Sequence, residues 1–469
     1  MIALTPFLLS IAAIIANIFL SVTRIKKGLL LGVNLLFWAI VLVSFFVFRN
    51  EIVNSDLPFF ATGFIVFGQF ELVLCSIVAV LTILFFATLY FSDDERYFKP
   101  ELVALANLAS FGMMGMIISS EIITTLIFIE IASISIYAMI ALNSLSSKSI
   151  EAAFKYFLLS SFMSAFYLLG AALIFGMTQT TKYELLSKLS SPSFITTIGA
   201  MLIIAMMFFK IAIFGFYRWS IDVYYGASTS ITGYLAGAFK LASFGMLIKF
   251  ALLYSGGWND ILAIIFSVVA ICSMFIGNFL SLKEVDVKKI LIAAGIVHAG
   301  YIFINLASFS GEESLFAGVF YIAIYAITTG FGFLLLNALF GDKQVTIDSI
   351  AGLYKSSPIA ALAFTIISLS FIGFPYTVGF LGKVYIFSSA FEAGYAYLAI
   401  FGIINTILSV YYYLRIIISI YFKESNEIVI LSKPRTIWLN ILSILAIAFV
   451  ILEGIGIGSI LGYLSLVMA

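Results

Sequence analysis

The sequence predicts an all-α polytopic membrane protein of about fourteen transmembrane helices. Three observations carry that prediction. Of 469 residues, 63% are hydrophobic and only 10% charged, with a mean hydropathy of +1.19, whereas soluble domains carry about 25% charged residues. Apolar stretches of roughly 17 to 25 residues, the length that crosses a 30 Å hydrocarbon core, recur from end to end. Lys and Arg alternate between the connecting loops as the positive-inside rule requires. No stretch is left over for a sizeable soluble domain.

The first span, 3–22, has no basic stretch ahead of it and no small-residue cleavage pattern. Its basic cluster, Arg24, Lys26 and Lys27, follows it, so it reads as a membrane helix and not a signal peptide. Five spans follow at 28–48, 70–92, 102–119, 121–142 and 152–176. The seventh to eleventh lie at 194–216, 230–254, 260–282, 289–308 and 314–340, and the last three at 358–390, 396–421 and 436–466. The stretches 59–92 and 358–390 are long enough for the count to shift by one or two. Loops of odd rank hold most of the basic residues, among them Lys99, Lys148, Arg218, Lys283, Lys288, Lys355 and Lys423 with Arg24 and Arg96. Loops of even rank hold Arg49, Lys182 and Lys188, with Lys249 near a helix end as an interfacial anchor. A miscount would scramble this bias. It places odd loops in the cytoplasm and both termini outside, in a multi-pass protein of the cell membrane.

Several classes drop out. Cys75 and Cys272 stand far apart without metal-ligand spacing, and one histidine cannot supply a His-rich metal site or a bis-histidine haem. A net charge of +1 asks for no nucleic-acid partner.

What needs explaining are the ionisable residues inside spans: Lys155, Lys210, Lys240, Lys383, Arg415, Glu130 in "TLIFIEIASISIYAMIAL" and His298 in "IAAGIVHAGYIFI". A lysine at the bilayer centre costs roughly 3 kcal/mol, and such groups mark ion pathways by default. Plainer readings exist for some. Lys155, close to Glu151 at a helix start, can snorkel to the interface, and Arg415 shares that ambiguity. A lone histidine such as His298 can simply be hydrogen-bonded in the core.

Two lysine-bearing helices also carry helix-breaking sequence. Gly215 follows Lys210, and "FIGFPYTVGFLGK" sets Gly373, Pro375, Gly379 and Gly382 before Lys383. Proline interrupts a helix, and at membrane depth such breaks need protein or a water-filled cavity around them. Broken helices in corresponding positions of two halves point to an ion site near the midplane. Helices seven and twelve are five apart, and an odd offset gives two inverted five-helix repeats, helices 4–8 and 9–13. The organisation is then 1–100 (helices 1–3), 101–255 (first repeat), 256–422 (second repeat) and 423–469 (helix 14). A buried amine has its pKa lowered by desolvation and raised by a carboxylate. Balanced between the two, it can take up and release a proton.

The sequence resembles the antiporter-like membrane subunits of respiratory complex I and its relatives, the Mrp-type cation/proton antiporters and membrane-bound hydrogenases. The resemblance covers about 70 to 430 and is closest to the N-type branch. It is carried by "EAAFKYFLLSSFMSAFYLLG", "FKIAIFGFYRWSIDVYYGA", "AFKLASFGMLIK", "KKILIAAGIVHAGY", "GFLGK" and "YYYLR". It implies that Glu130 pairs with Lys210, that Lys240 relays protons toward the central axis, that His298 belongs to that axis and that Lys383 is the terminal lysine. Lys155 takes the place of the basic residue of the sixth helix.

Where the family places four prolines and a histidine after the seventh-helix lysine, this sequence has Gly215, Ile221, Ser228 and Ser230, and Tyr217. That puts the geometry of the seventh-helix break in doubt and suggests a divergent branch, an archaeal one among the candidates. The resemblance implies a proton-translocating subunit without a redox centre or bound metal of its own. Quinone, flavin and iron–sulfur clusters are expected in partner subunits, and other antiporter-like and small membrane subunits as neighbours in the bilayer. An Mrp-type sodium/proton antiporter, a hydrogenase subunit and a structural scaffold are the alternatives; the deep groups are mainly amines, which favours protons over sodium.

Overall fold

The computed structural model describes residues 4–22, 25–54, 63–92, 98–142, 147–188, 193–253, 259–424 and 431–456. Among them, twelve helices are long and apolar enough to cross a membrane, and the shorter apolar helices Thr5–Leu20 and Pro358–Ile372 bring the apolar segments to the expected fourteen. Arg24, Arg96 and the end of the fourteenth span lie outside the described residues. The third helix is Gln69–Phe91. It cannot start at 63–68, because that stretch pairs with another chain segment: Val66 N–H donates to Ile118 O at 2.7 Å and Ser120 N–H to Phe64 O at 2.9 Å.

The chain forms two compact units. The first comprises Met1–Tyr90, Asp94–Ala212 and Ala238–Asn259. Its fifth helix (Ile122–Leu142), sixth (Ser147–Thr178) and the first half of the seventh (Phe194–Ile211) pack around small residues. A Cβ on Gly199 would stand 2.8 Å from the carbonyl oxygen of Gly170, so the sixth and seventh helices approach backbone to backbone, as small residues allow in membranes. Asn17, Asn34 and Asn107 hydrogen-bond one another at 2.6 to 2.8 Å and tie the first two helices to the fourth (Pro100–Ile118). Lys249, read from sequence as an interfacial anchor, is tied to two neighbouring helices near their ends. It is half-buried, ion-paired to Glu71 at 2.8 Å and donating to Ile117 O at 2.9 Å.

The second unit comprises Phe91–Asp93, Ile213–Gly237 and Asp260–Ala469. At its centre the tenth helix (Val287–Ala307) and the eleventh (Glu312–Phe340) are each fully buried over an 18-residue apolar stretch. The twelfth helix is two half-helices, Pro358–Ile372 and Val378–Glu392.

Candidate functional site

The seventh helix ends five residues before the expected 216. Ala212 takes the left-handed conformation, φ 62°, and its N–H closes on Phe208 and Phe209 carbonyls. Gly215 follows at φ 86°, and the chain re-forms a helix at Arg218–Gly226. The expected break is there without a proline. Lys210 occupies the last turn before it, with no solvent-exposed surface (0%).

Lys210 Nζ donates to Ser133 Oγ and to Ser160 Oγ, each at 2.6 Å. The rings of Tyr156 and Phe239 lie 5.3 and 5.8 Å from the ammonium, a placement that stabilises a cation. The sequence reading paired Glu130 directly with this lysine. In the structure, serines stand between them. Ser164 donates to the Glu130 carboxylate and lies 3.0 Å from Ser160 O, while Ser160 Oγ takes the lysine proton's hydrogen bond. Glu130 and Ser133 are one turn apart on the fifth helix, and Ser160 and Ser164 one turn apart on the sixth, so each pair shares a face. The carboxylate is half-buried. The arrangement holds a charged amine in place by hydroxyls that can both donate and accept.

Lys240 is buried (4% exposed) and stands directly after a π-helical turn, Leu235–Phe239, within the span Thr229–Leu253. A π-turn inserts one residue into the helical register, a feature frequent at functional sites. Lys155 instead lies on the exposed side of the sixth helix, ion-paired to Glu151 at 2.7 Å one turn away.

In the second unit the twelfth-helix break spans Gly373 to Thr377, with Gly373 at φ 86° and Pro375 in the turn. Lys383, on the second half-helix, reaches back and donates to Phe371 O at 2.8 Å and Ile372 O at 2.9 Å. These are end carbonyls of the first half-helix, where orphan acceptors and the helix dipole favour a cation. Tyr301 lies beneath the ammonium, 4.8 Å away. His298 Nδ1 is hydrogen-bonded to Tyr321 OH at 2.8 Å, and the ring packs 5.0 Å from Phe371, whose carbonyl holds Lys383. The structure thus brings His298, Tyr301, Tyr321 and Lys383 into one cluster.

Sequence reasoning missed the serines, the tyrosines and Lys288. Read as a loop cation, Lys288 is buried and donates to Ala227 O at 2.6 Å and Tyr225 O at 3.3 Å. It satisfies the carbonyl end of the Arg218–Gly226 helix. The available signal was position: Lys288 stands inside the first turn of an otherwise apolar helix.

A family model for the transmembrane region of NADH:quinone oxidoreductases and Mrp antiporters matches residues 119–409. A NADH-quinone oxidoreductase subunit N from Campylobacter fetus is 57% identical over 99% of both chains. Another, from Trichlorobacter lovleyi, is 35% identical over 77% of this chain and 74% of its own. In fold, the chain is similar to one from respiratory complex I of Thermus thermophilus, with TM-score 0.82, 24% identity and coverage of 97% of this chain and 99% of that one. It is similar also to one from the Mrp complex of a Dietzia species, with TM-score 0.87, 19% identity and coverage of 99% and 96%.

Proposed function

Since the chain belongs to the family of NADH:quinone oxidoreductase and Mrp antiporter membrane subunits, we infer that its buried charges form the path by which it moves protons. It is an antiporter-like, proton-translocating subunit of a complex I-type NADH:quinone oxidoreductase, and the full-length relative at 57% identity favours that reading over an Mrp or hydrogenase subunit. Flavin, iron–sulfur and quinone chemistry belongs to partner subunits, and other antiporter-like and small membrane subunits adjoin it in the bilayer. Both termini face outward, and the chain carries two inverted five-helix repeats, helices 4–8 and 9–13.

One observation carries the path: a lysine without solvent contact, held by two serine hydroxyls at 2.6 Å, at the end of a helix that stops beneath it. A proton enters by Glu130 and passes to Lys210. It is relayed by Lys240 and His298 and leaves by Lys383, repulsion between neighbouring ammonium groups driving each step. Each transfer moves one proton from a protonated donor to a neutral acceptor; no electron is carried in this chain. Lys155, on the exposed side, assists at most by its charge.

The test is Lys210→Ala and Lys383→Ala in the assembled complex, with protons pumped per electron pair as the readout. Several-fold lower pumping with assembly kept is expected. Normal pumping in both variants overturns the path, and failed assembly favours a scaffold role.

A further inference from the structure

His298 lines two small cavities in the second unit, and they lie along different stretches of the eleventh helix. One is lined by Leu291, Gly295, Thr329, Phe333 and Tyr413 together with His298, toward the Val287 end of the tenth helix. The other is lined by Tyr321, Thr328, Ser370 and Gly379 together with His298, toward the twelfth-helix break. Tyr325 and Phe371 border both. Each leaves about 10 Å³ for the centre of a water molecule, close to the minimum for holding one.

The first cavity carries a second, independent feature. Thr329 and Tyr413 are 95% and 99% buried, and neither hydroxyl makes a well-formed hydrogen bond to another described residue, although Tyr325 and Tyr412 stand near them. Buried hydroxyls are nearly always satisfied by protein or by ordered water. An internal water needs room and two to four polar partners; Thr329, Tyr413 and His298 are the polar residues among those that line this cavity together with Tyr325.

We propose that Thr329 and Tyr413 hold a water molecule against His298, and that this water is a proton carrier on the path just described. The inference rests on that reading and extends it. Thr329 and Tyr413 are positioning residues, and His298 becomes a junction between the two cavities. In the transfer, the water accepts a proton at its oxygen from one side and gives up another to His298, or the reverse. Its O–H bonds are exchanged without redox change, and His298 returns to neutrality by passing a proton toward the Tyr321 side.

The experiment uses the assembled complex with Thr329→Val, Tyr413→Phe and the double variant, alongside Thr329→Ser, which keeps the hydroxyl. Removing hydroxyls that make no well-formed bond to protein costs the fold little. Expected is several-fold lower proton pumping per electron pair with assembly and electron transfer unchanged. The double variant should be no worse than either single one, because both lose the same water, and Thr329→Ser should recover pumping. Ser120→Ala, removing a buried unpartnered hydroxyl in the first unit, should pump normally. A high-resolution map of the wild-type complex should show density between Thr329 Oγ1 and Tyr413 OH. Normal pumping in the double variant overturns the inference, as does a dry cavity in that map. If Lys383→Ala abolishes pumping while the double variant pumps normally, the water site fails and the path stands. If neither change affects pumping, the path itself has failed.

Discussion

At the scale of single residues, the site is a lysine ammonium held by neutral hydroxyls. A hydrogen bond to a charged group contributes about 1.5 to 3 kcal/mol, so Ser133 and Ser160 together hold the Lys210 cation about as firmly as one carboxylate neighbour would. They also keep it from closing fully onto Glu130. Ser160→Ala should therefore weaken this restraint, with pumping per electron pair falling while complex assembly, checked by native gel, is retained. Ser160→Thr, keeping the hydroxyl, should pump close to normally. Equal loss in both would mean the site responds to shape and not to the hydroxyl. The lysines were legible in the sequence because a charge in an apolar run stands out. The serines were not, because hydroxyl residues are ordinary in membrane helices. Only the packing of the fifth, sixth and seventh helices shows which of them meet at Lys210. The Lys288 error has the same root: a cation at a helix end looks alike in sequence whether it faces solvent or a neighbouring helix's carbonyls.

At the scale of elements, the two breaks are built differently. In the seventh helix, Ala212 at φ 62° bears a left-handed conformation that costs an L residue about 1 to 2 kcal/mol. Gly215 at φ 86° avoids that cost, and a Cβ added there would meet open space. Further along, Ser228 caps the next short helix by accepting from Ile231 N–H at 3.4 Å, at a position where the family places a proline. The sequence leaves the break unspecified because the prolines are absent; backbone conformation at Ala212 and Gly215 supplies what they would have done. Gly215→Ala should thus lower stability by about 1 to 2 kcal/mol, the strain of φ alone, measured as a lower unfolding midpoint in detergent with pumping retained. Gly373→Ala should do more. Gly373 combines φ 86° with a Cβ position 3.0 Å from Cδ of Lys383, so the added methyl presses on the lysine that holds the half-helix end. Pumping should fall along with stability. An unfolding midpoint equal to that of Gly215→Ala with normal pumping would sink the distinction.

At the scale of the whole molecule, orientation is the main consequence still to be tested, and the structure sharpens how to test it. Lys249 and Lys288 are both tied into the protein, Lys249 by the Glu71 carboxylate and Lys288 by helix-end carbonyls. The positive-inside rule counts Lys and Arg whatever their partners in the fold, so the loop bias is unchanged by these pairings. The sixth helix, Ser147–Thr178, has 32 residues and so spans about 48 Å, more than a 30 Å core needs. Exposed Lys148 stands at its start, and exposed Lys188, paired with Glu184 at 2.7 Å, lies beyond its end. An exposed pair of this kind contributes about 0 to 1 kcal/mol, so Lys188 can be replaced without harm, and exposed Lys148 likewise. Cys75 is buried and Cys272 half-buried, and both would be removed to give a silent background. In intact cells, a membrane-impermeant maleimide should then label Lys188→Cys and leave Lys148→Cys unlabelled until the membrane is opened. Because one helix separates the two positions, the reverse pattern would invert the entire topology, putting both termini and the uptake side of the proton path on the opposite face.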